Sequence, residues 1–591
     1  MKTTLKSIIT IFIILTSLSL LTFISNAASA VQYFNEGNSL LESGKFEEAI
    51  QSYNKGIELD PNIAELYYNK GLALLNLGKY NEAIECYNRS TELAPNFKEA
   101  YLNKSVCLMY SYKFEEALEA CNKFIEMAPN EPNGYVLKGS IFLSMEKYEE
   151  ALDVSDKTIS MNPSDELIFS AAYSNKAHAL VWLKKPEEAI EACNKSLELS
   201  VENIDAYTAM SLAYSFLGNY EEAISWCDKA IEISPDAIEA YINKCSFLVN
   251  LGKSKEALDC CNKALELNAS RNLIYESLIL TNKSSALLFE NNYEESLKAA
   301  EKAIESDPKN ALAYVAKSYA LSELERYDEA LLFSDKAIEI DPTLGAAYGA
   351  KGALLFHLDR LDESIEACKK SLELSPEDIV ICAQAYTNIG GSLSKKGMYE
   401  EAIANLDKAL ELPLKNPKSL SVTYSNKSSA LLGLERFEEA LEYANKAIES
   451  DPNNVMGYAN KSASLVNLSR CNEALECCDE AVKLNIADYT IYNNKGLAFE
   501  AQGKLDKALE ALNKSLELNP DYENAKENIQ RVSTKLTIKR VIFIFVIFAL
   551  VTAITIAAVI LTVLRKRKAH AQSSNPHMPE PFVNYDELNQ K

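Results

Sequence analysis

Proline returns at a fixed interval along most of this chain. Pro61, Pro95, Pro129 and Pro163 stand 34 residues apart, and Pro235, Pro308, Pro342, Pro376, Pro452 and Pro520 continue the series. Where proline is missing, Val201, Ala269, Leu414 and Ile486 hold the equivalent place, giving fourteen units from about Ala30 to Pro520. A unit this short cannot bury its own apolar face. It closes a core only by stacking on its neighbours. The period also accounts for a length of 591 residues, well past the ~250–300 at which single cores stop growing.

Each unit reads Y-x-N-K-[GS]-x-A-L, a turn such as L-G-K-Y, then E-E-A-I-E and K-A-[IL]-E-L-D-P. Apolar residues at spacings of three and four mark two amphipathic helices separated by a glycine-bearing turn, and proline ends the second helix. Gly71, Gly139, Gly352 and Gly496, or Ser105, Ser284, Ser428 and Ser462, let the pair approach closely. Alanine recurs early in the second helix, from Ala49 and Ala83 to Ala474 and Ala508, with Ser296 and Ser364 as substitutes. A larger side chain there overpacks the contact. With only 19 Gly and 17 Pro, the composition favours helix over sheet or disorder.

Four spacings break the period: 38 residues from Pro163 to Val201, 39 from Ala269 to Pro308, and 38 each from Pro376 to Leu414 and on to Pro452. Four extra residues are close to one helical turn, so a first helix lengthens without rotating its apolar face. These units are expected to change the local pitch or to protrude as ridges.

The pattern resembles the tetratricopeptide-repeat (TPR) family. Its positions for an aromatic, two small residues and a closing proline are met in the second unit by Tyr67, Gly71, Ala83 and Pro95. The resemblance implies an all-α fold, a right-handed superhelical α-solenoid of about fourteen helix-turn-helix repeats. It also implies a non-catalytic protein-binding role in which first helices line a concave groove for extended peptides or partner helices. The lining positions carry over to Tyr68, Leu72, Tyr110, Val136, His178, Trp182, Thr208, Phe216, Tyr319, Phe356 and His357. The same side chains are equally placed to pad contacts between neighbouring helices. One departure is Lys70, Lys104, Lys138 and Lys176 where the family usually has Leu; the stem is expected to pack and the ammonium to snorkel to water. Some family members clamp the C-terminal carboxylate of cytosolic heat-shock chaperones with Asn and several basic residues. Asn35, Asn69 and Asn103 match, but the basic positions hold Ser, Thr or apolar residues. That ligand is therefore not expected, and these asparagines are expected to satisfy backbone groups.

Both chain ends point to a membrane. Lys2 and Lys6, the apolar run Ile8 to Ile24 and Ala28-Ser29-Ala30 form the layout of a secretory signal with cleavage after Ala30, or of an uncleaved anchor. Val541 to Leu564 contains no charge, Gly or Pro, long enough to span a hydrocarbon core of about 30 Å. Arg565-Lys566-Arg567-Lys568 follows it and is expected to stay in the cytoplasm, although Lys535, Lys539 and Arg540 on the other flank weaken that signal. The expected organisation is a signal over 1–30, repeats over 31–520, a capping and juxtamembrane helix over 521–540, a transmembrane helix over 541–564 and a short cytoplasmic tail over 565–591. The repeats are then extracytoplasmic. Nine N-x-[ST] sequons, Asn88 and Asn513 among them, fall mostly inside repeat helices and carry little weight.

A net charge of −24 argues against nucleic acid, whose phosphates demand clustered Lys and Arg. Thirteen cysteines form no C-x-x-C pair, and seven (Cys86, Cys121, Cys193, Cys227, Cys261, Cys368 and Cys478) fall at or beside one repeat position, as small buried hydrophobes do. The four histidines lack metal spacing, and no phosphate loop or nucleophile elbow occurs. Glu-Glu pairs such as Glu47-Glu48 and Glu221-Glu222 recur at one position, as solvated helix starts. No cofactor, metal, small-molecule substrate or catalytic residue is expected. The partners are other proteins or peptides. Two further readings remain open: a chaperone-like assembly factor for exported proteins, and a cytoplasm-facing targeting receptor.

Overall fold

The computed structural model describes residues 12, 14–17, 28–268 and 272–573. Most of the N-terminal segment read as a signal, and the tail beyond Ser573, lie outside the described residues. Among the described residues the chain is helical throughout, without strands, and its helices stack in antiparallel pairs as an α-solenoid. The array divides into two units: the chain up to Ser392 together with Lys408–Pro417, and Leu393–Asp407 together with Lys418 onward.

The first repeat pairs residues 28–42 with Phe46–Leu59, and the second pairs Ala64–Asn76 with Tyr80–Leu93. Ala30 is fully buried within that first helix. The turn inside each repeat closes on a residue in the left-handed region. In the second, Gly78 N–H donates to the Leu75 carbonyl and Lys79 N–H to that of Leu74, both at 2.9 Å, which caps the first helix. Gly78 has φ 70°, but Tyr112 at φ 58° and Lys184 at φ 60° take the same place in other repeats, so glycine is not obligatory there.

The core repeats with the sequence. Ala49, Ala83, Ala117, Ala151, Ala257 and their equivalents through Ala508 are fully buried, as are Ser296 and Ser364. Cys121, Cys193, Cys227, Cys261, Cys368 and Cys478 are fully buried with them, and all thirteen cysteines are free thiols. Burial pushes the Cys193 thiol up to about 12, which makes it a weak nucleophile.

The lysine in the first helix behaves differently from expectation. In several repeats its ammonium ends on the second helix of the preceding repeat rather than in water: Lys176 to Asp156 at 2.7 Å, Lys351 to Asp335 at 2.8 Å, Lys495 to Asp479 at 2.7 Å. Lys138 meets Asn122 at 2.9 Å in the same way. An acidic or amide side chain on that neighbouring helix lies within reach of the packed stem. Each such half-exposed pair contributes at most about 1 kcal/mol, repeated along the array.

The irregular spacings become longer first helices. Glu166–Trp182, Leu273–Phe289, Ile379–Lys395 and Pro417–Gly433 each have 17 residues, against 13 in Ala64–Asn76. The last described element is one continuous helix, Glu523–Ser573. Its Val532 and Leu536 are buried with Leu505, Ala508 and Leu512 of the last repeat, and it continues into the exposed apolar side chains from Val541 to Leu564.

Candidate functional site

Over much of the array successive first helices touch one another: Glu166–Trp182 meets both Pro132–Ser144 and Ile204–Phe216, whereas neighbouring second helices such as Phe114–Met127 and Tyr148–Ser160 make no comparable contact. First helices therefore lie on the inside of the curve. Asparagines knit this face together: Asn175 Nδ2 donates to the Val136 carbonyl, Asn460 to Ser425 and Asn494 to Ala459, each at 2.9 Å. Each donor reaches the preceding repeat, as do Asn69 and Asn103, but these two meet side chains, the Asn38 Oδ1 at 2.7 Å and the Tyr68 hydroxyl at 3.1 Å, rather than the backbone groups expected of them.

The aromatic residues anticipated for the groove fall into two groups. Those at the last position of a first helix stack on the residue that opens the preceding repeat's second helix. Tyr110 lies on Tyr80 at 5.2 Å and 17°, Trp182 on Tyr148 at 5.8 Å and 16°, and His357 on Tyr327 at 4.9 Å and 6°. Phe216 meets Trp182 edge-on at 6.0 Å, and Phe356 meets His357 edge-on at 5.5 Å. The offset and edge geometries suit ring quadrupoles. Trp182 is 46% exposed and Tyr110 is 53% exposed, so both rings keep solvent-accessible surface beside their stacking partners. Burial pushes the Tyr148 phenol up to about 12, and burial beside Tyr80, Asp205 and Glu239 raises that of Tyr110.

The second group lies deeper and is occupied by contacts between repeats. The Tyr68 hydroxyl accepts from Asn103 Nδ2 at 3.1 Å, and its ring packs 4.6 Å from Phe97. His178 Nε2–H donates to the Asp205 carbonyl of the next repeat at 3.0 Å. The Tyr319 hydroxyl accepts from Gln384 Nε2 at 2.6 Å across an intervening repeat, and burial raises its pKa. Leu72 and Val136 are half-buried, and Thr208 is buried with its hydroxyl on the Asp205 carbonyl at 2.9 Å, so it does not line an open groove.

One aromatic group was not anticipated. Trp226, on the second helix Tyr220–Ile233, sits 5.9 Å from Tyr207 and 6.5 Å from Tyr214, with the Lys229 ammonium 3.4 Å above its ring. Its position carries no aromatic in most repeats, so the period gave no signal for it.

Family profiles described as "Tetratricopeptide repeat" match residues 64–97 and 489–522, 132–165, 170–201, 204–237, 238–271 and 345–378, 281–344 and 381–453. A profile described as "TPR repeat" matches 37–78. No curated protein sequence matches the chain. Among solved structures the chain is similar to one titled "Crystal structure of APC/C hetero-tetramer Cut9-Hcn1", at 14% identity and a TM-score of 0.50, covering 84% of this chain and 95% of that one. At that identity the likeness concerns the fold alone. From the repeat cores, the paired helices and the profiles along its length, this chain belongs to the tetratricopeptide-repeat family.

Proposed function

We propose that this chain is a membrane-tethered, non-catalytic interaction scaffold whose inner face takes extended peptide segments or partner helices. The family membership supports a protein-binding role. The observation that carries the finer reading is the open ring of Trp182, held between Tyr148 and Phe216 at the edge of the inner face. Such a rigid aromatic platform loses little side-chain entropy on binding, and aromatic anchors carry much of the energy of interfaces.

The helix Glu523–Ser573 supports the tether, being the one among the described residues long and apolar enough to cross a membrane. The flanking charges favour the repeats outside the cytoplasm and the tail inside. Arg531 and Lys535 pair with Glu500, and Arg540 with Asp506, so much of the positive charge on the repeat side is locally neutralised. Arg565 to Lys568 have no acidic partner among the described residues, which leaves them as the stronger retention signal. Reporter fusions at Gly397 and at the C-terminus test this, and cytoplasmic activity from the Gly397 fusion overturns it.

The binding reading is tested by crosslinking pull-down with the full chain. Trp182→Ala with Phe216→Ala is expected to lose its partners while circular dichroism stays unchanged, each anchor being worth about 2 kcal/mol or more. Glu222→Gln is the control expected to retain them. Glu221 does not serve, because its carboxylate pairs with Lys415. Retention of partners by the alanine variant refutes the inner-face assignment. A stable stoichiometric set supports the scaffold, and a changing set of unfolded clients supports the chaperone-like alternative.

A further inference from the structure

Three of the four lengthened first helices begin beside a turn that lies five repeats earlier in the same unit. In the eighth repeat, Asn272 caps Leu273–Phe289 through Oδ1 and donates Nδ2 to the Tyr112 hydroxyl at 2.6 Å. Tyr112 sits in the turn of the third repeat, after Lys98–Tyr110. In the eleventh, Ile379 opens Ile379–Lys395 against the turn of the sixth: a Cβ added to Gly218 would lie 2.5 Å from Ile379 Cδ1. Burial and the Asp378 carboxylate push the neighbouring Tyr220 phenol up to about 12. Just before Pro417–Gly433 of the twelfth, the buried Asn416 donates Nδ2 to the Val249 carbonyl at 3.4 Å and Lys415 pairs with Glu221 at 2.6 Å. Pro417 Cδ lies 3.2 Å from where Gly252 would carry a Cβ. The fourth long helix, Glu166–Trp182, belongs to the fifth repeat. Counting back five repeats leaves no turn for it to meet, and its Leu167 is 67% exposed.

We propose that the extra turns of the eighth and eleventh repeats, with the segment Lys415–Pro417 ahead of the twelfth, are clasps that bind one superhelical turn of the first unit to the next and so gate access to its inner face. A segment reaches that face from an end of the coil, or laterally once the clasps part. This rests on the reading of the inner face as the binding surface. The seam is built mainly of partly exposed polar contacts, so it opens before the repeat cores do.

Two glycines with one backbone conformation provide the test. Gly218 has φ 72° and Gly78 φ 70°, and nothing lies within 4 Å of a Cβ at Gly78. The turn itself tolerates side chains, as Asn291 shows at φ 60°. In the full chain in detergent, Gly218→Asn is expected to raise hydrogen exchange at the starts of the eleventh and twelfth first helices by about tenfold. Gly78→Asn is expected to leave exchange at these amides unchanged. Lys415→Glu, which leaves the turn intact, should speed exchange at the same amides, and adding Glu221→Lys should reverse it. If Gly218→Asn matches Gly78→Asn, or if the charge swap fails to restore protection, the clasps do not exist. The readout needs no ligand, so the clasps stand or fall apart from the binding reading, which the aromatic variants test.

Discussion

The core inside a repeat and the seam between superhelical turns are built from different materials. Around Ala257 the core is dry: Cys245, Cys261, Ala264, Ile279 and Ala286 are all fully buried. The seam joins Tyr112 to Asn272 and Glu221 to Lys415 by polar atoms, both pairs part exposed, from residues 160 and 194 apart in sequence. The core follows a motif renewed in every repeat, so each copy is specified by its immediate neighbours. The seam depends on where distant repeats arrive after the coil has turned once, and its hydrogen bonds come from residues at or just ahead of the lengthened helices. The comparison teaches that a solenoid's local stability and its curvature have separate determinants.

The sharpest way to break the comparison is to overpack the core. Ala257→Leu is expected to cost about 1–3 kcal/mol, with exchange rising over Ile238–Asn250 and Ser254–Leu267 and falling off within a repeat or two, since stability in such arrays is a sum of repeat and neighbour terms. Uniform exchange over all repeats would show that the core is not local.

A smaller effect is expected where the last repeat holds the membrane-directed helix. The Glu500 carboxylate, with its side chain 8% exposed, accepts from Arg531 Nη2 at 2.7 Å and from Lys535 Nζ at 2.8 Å. The Arg531 hydrogen bond, with Lys535 adding, holds its pKa below the ordinary 4.5. A carboxylate depressed on folding stabilises fully above the unfolded value, and its contribution is lost as pH falls through the folded one. Docking of Glu523–Ser573 should therefore weaken below about pH 4.5. Glu500→Gln should loosen it at pH 7 by about 1–2 kcal/mol, the lower part of the range for charged hydrogen bonds because both cations are half-exposed. Rate-corrected hydrogen exchange over the start of that helix at pH 7 and pH 4 measures both. An unchanged pH response in the Gln variant would assign the docking to Val532 and Leu536 alone.

Much of this was legible beforehand. The proline period located the repeats and the alanine position located the core, because each depends on neighbours within about 35 residues. The lysine contacts were not legible, because their Asp partners sit on another helix of the preceding repeat, a contact that helical periodicity along one segment does not encode. Glu221 looked like any other acidic helix start until Lys415 arrived beside it. For Trp182 and Tyr110 the sequence left both a groove and an inter-helix role open, and the fold stacks each on a tyrosine of the preceding repeat.

The sequence by itself determined that this is a helical repeat array of one family with an apolar helix at its C-terminal end, since periodicity and small-residue placement act over one or two repeats. Only the tertiary structure decided what the four-residue insertions do and why Gly218 and Gly78 differ. Both glycines satisfy the same left-handed turn, and the distinction lies in an Ile379 side chain that the coil brings back from 161 positions further along the chain.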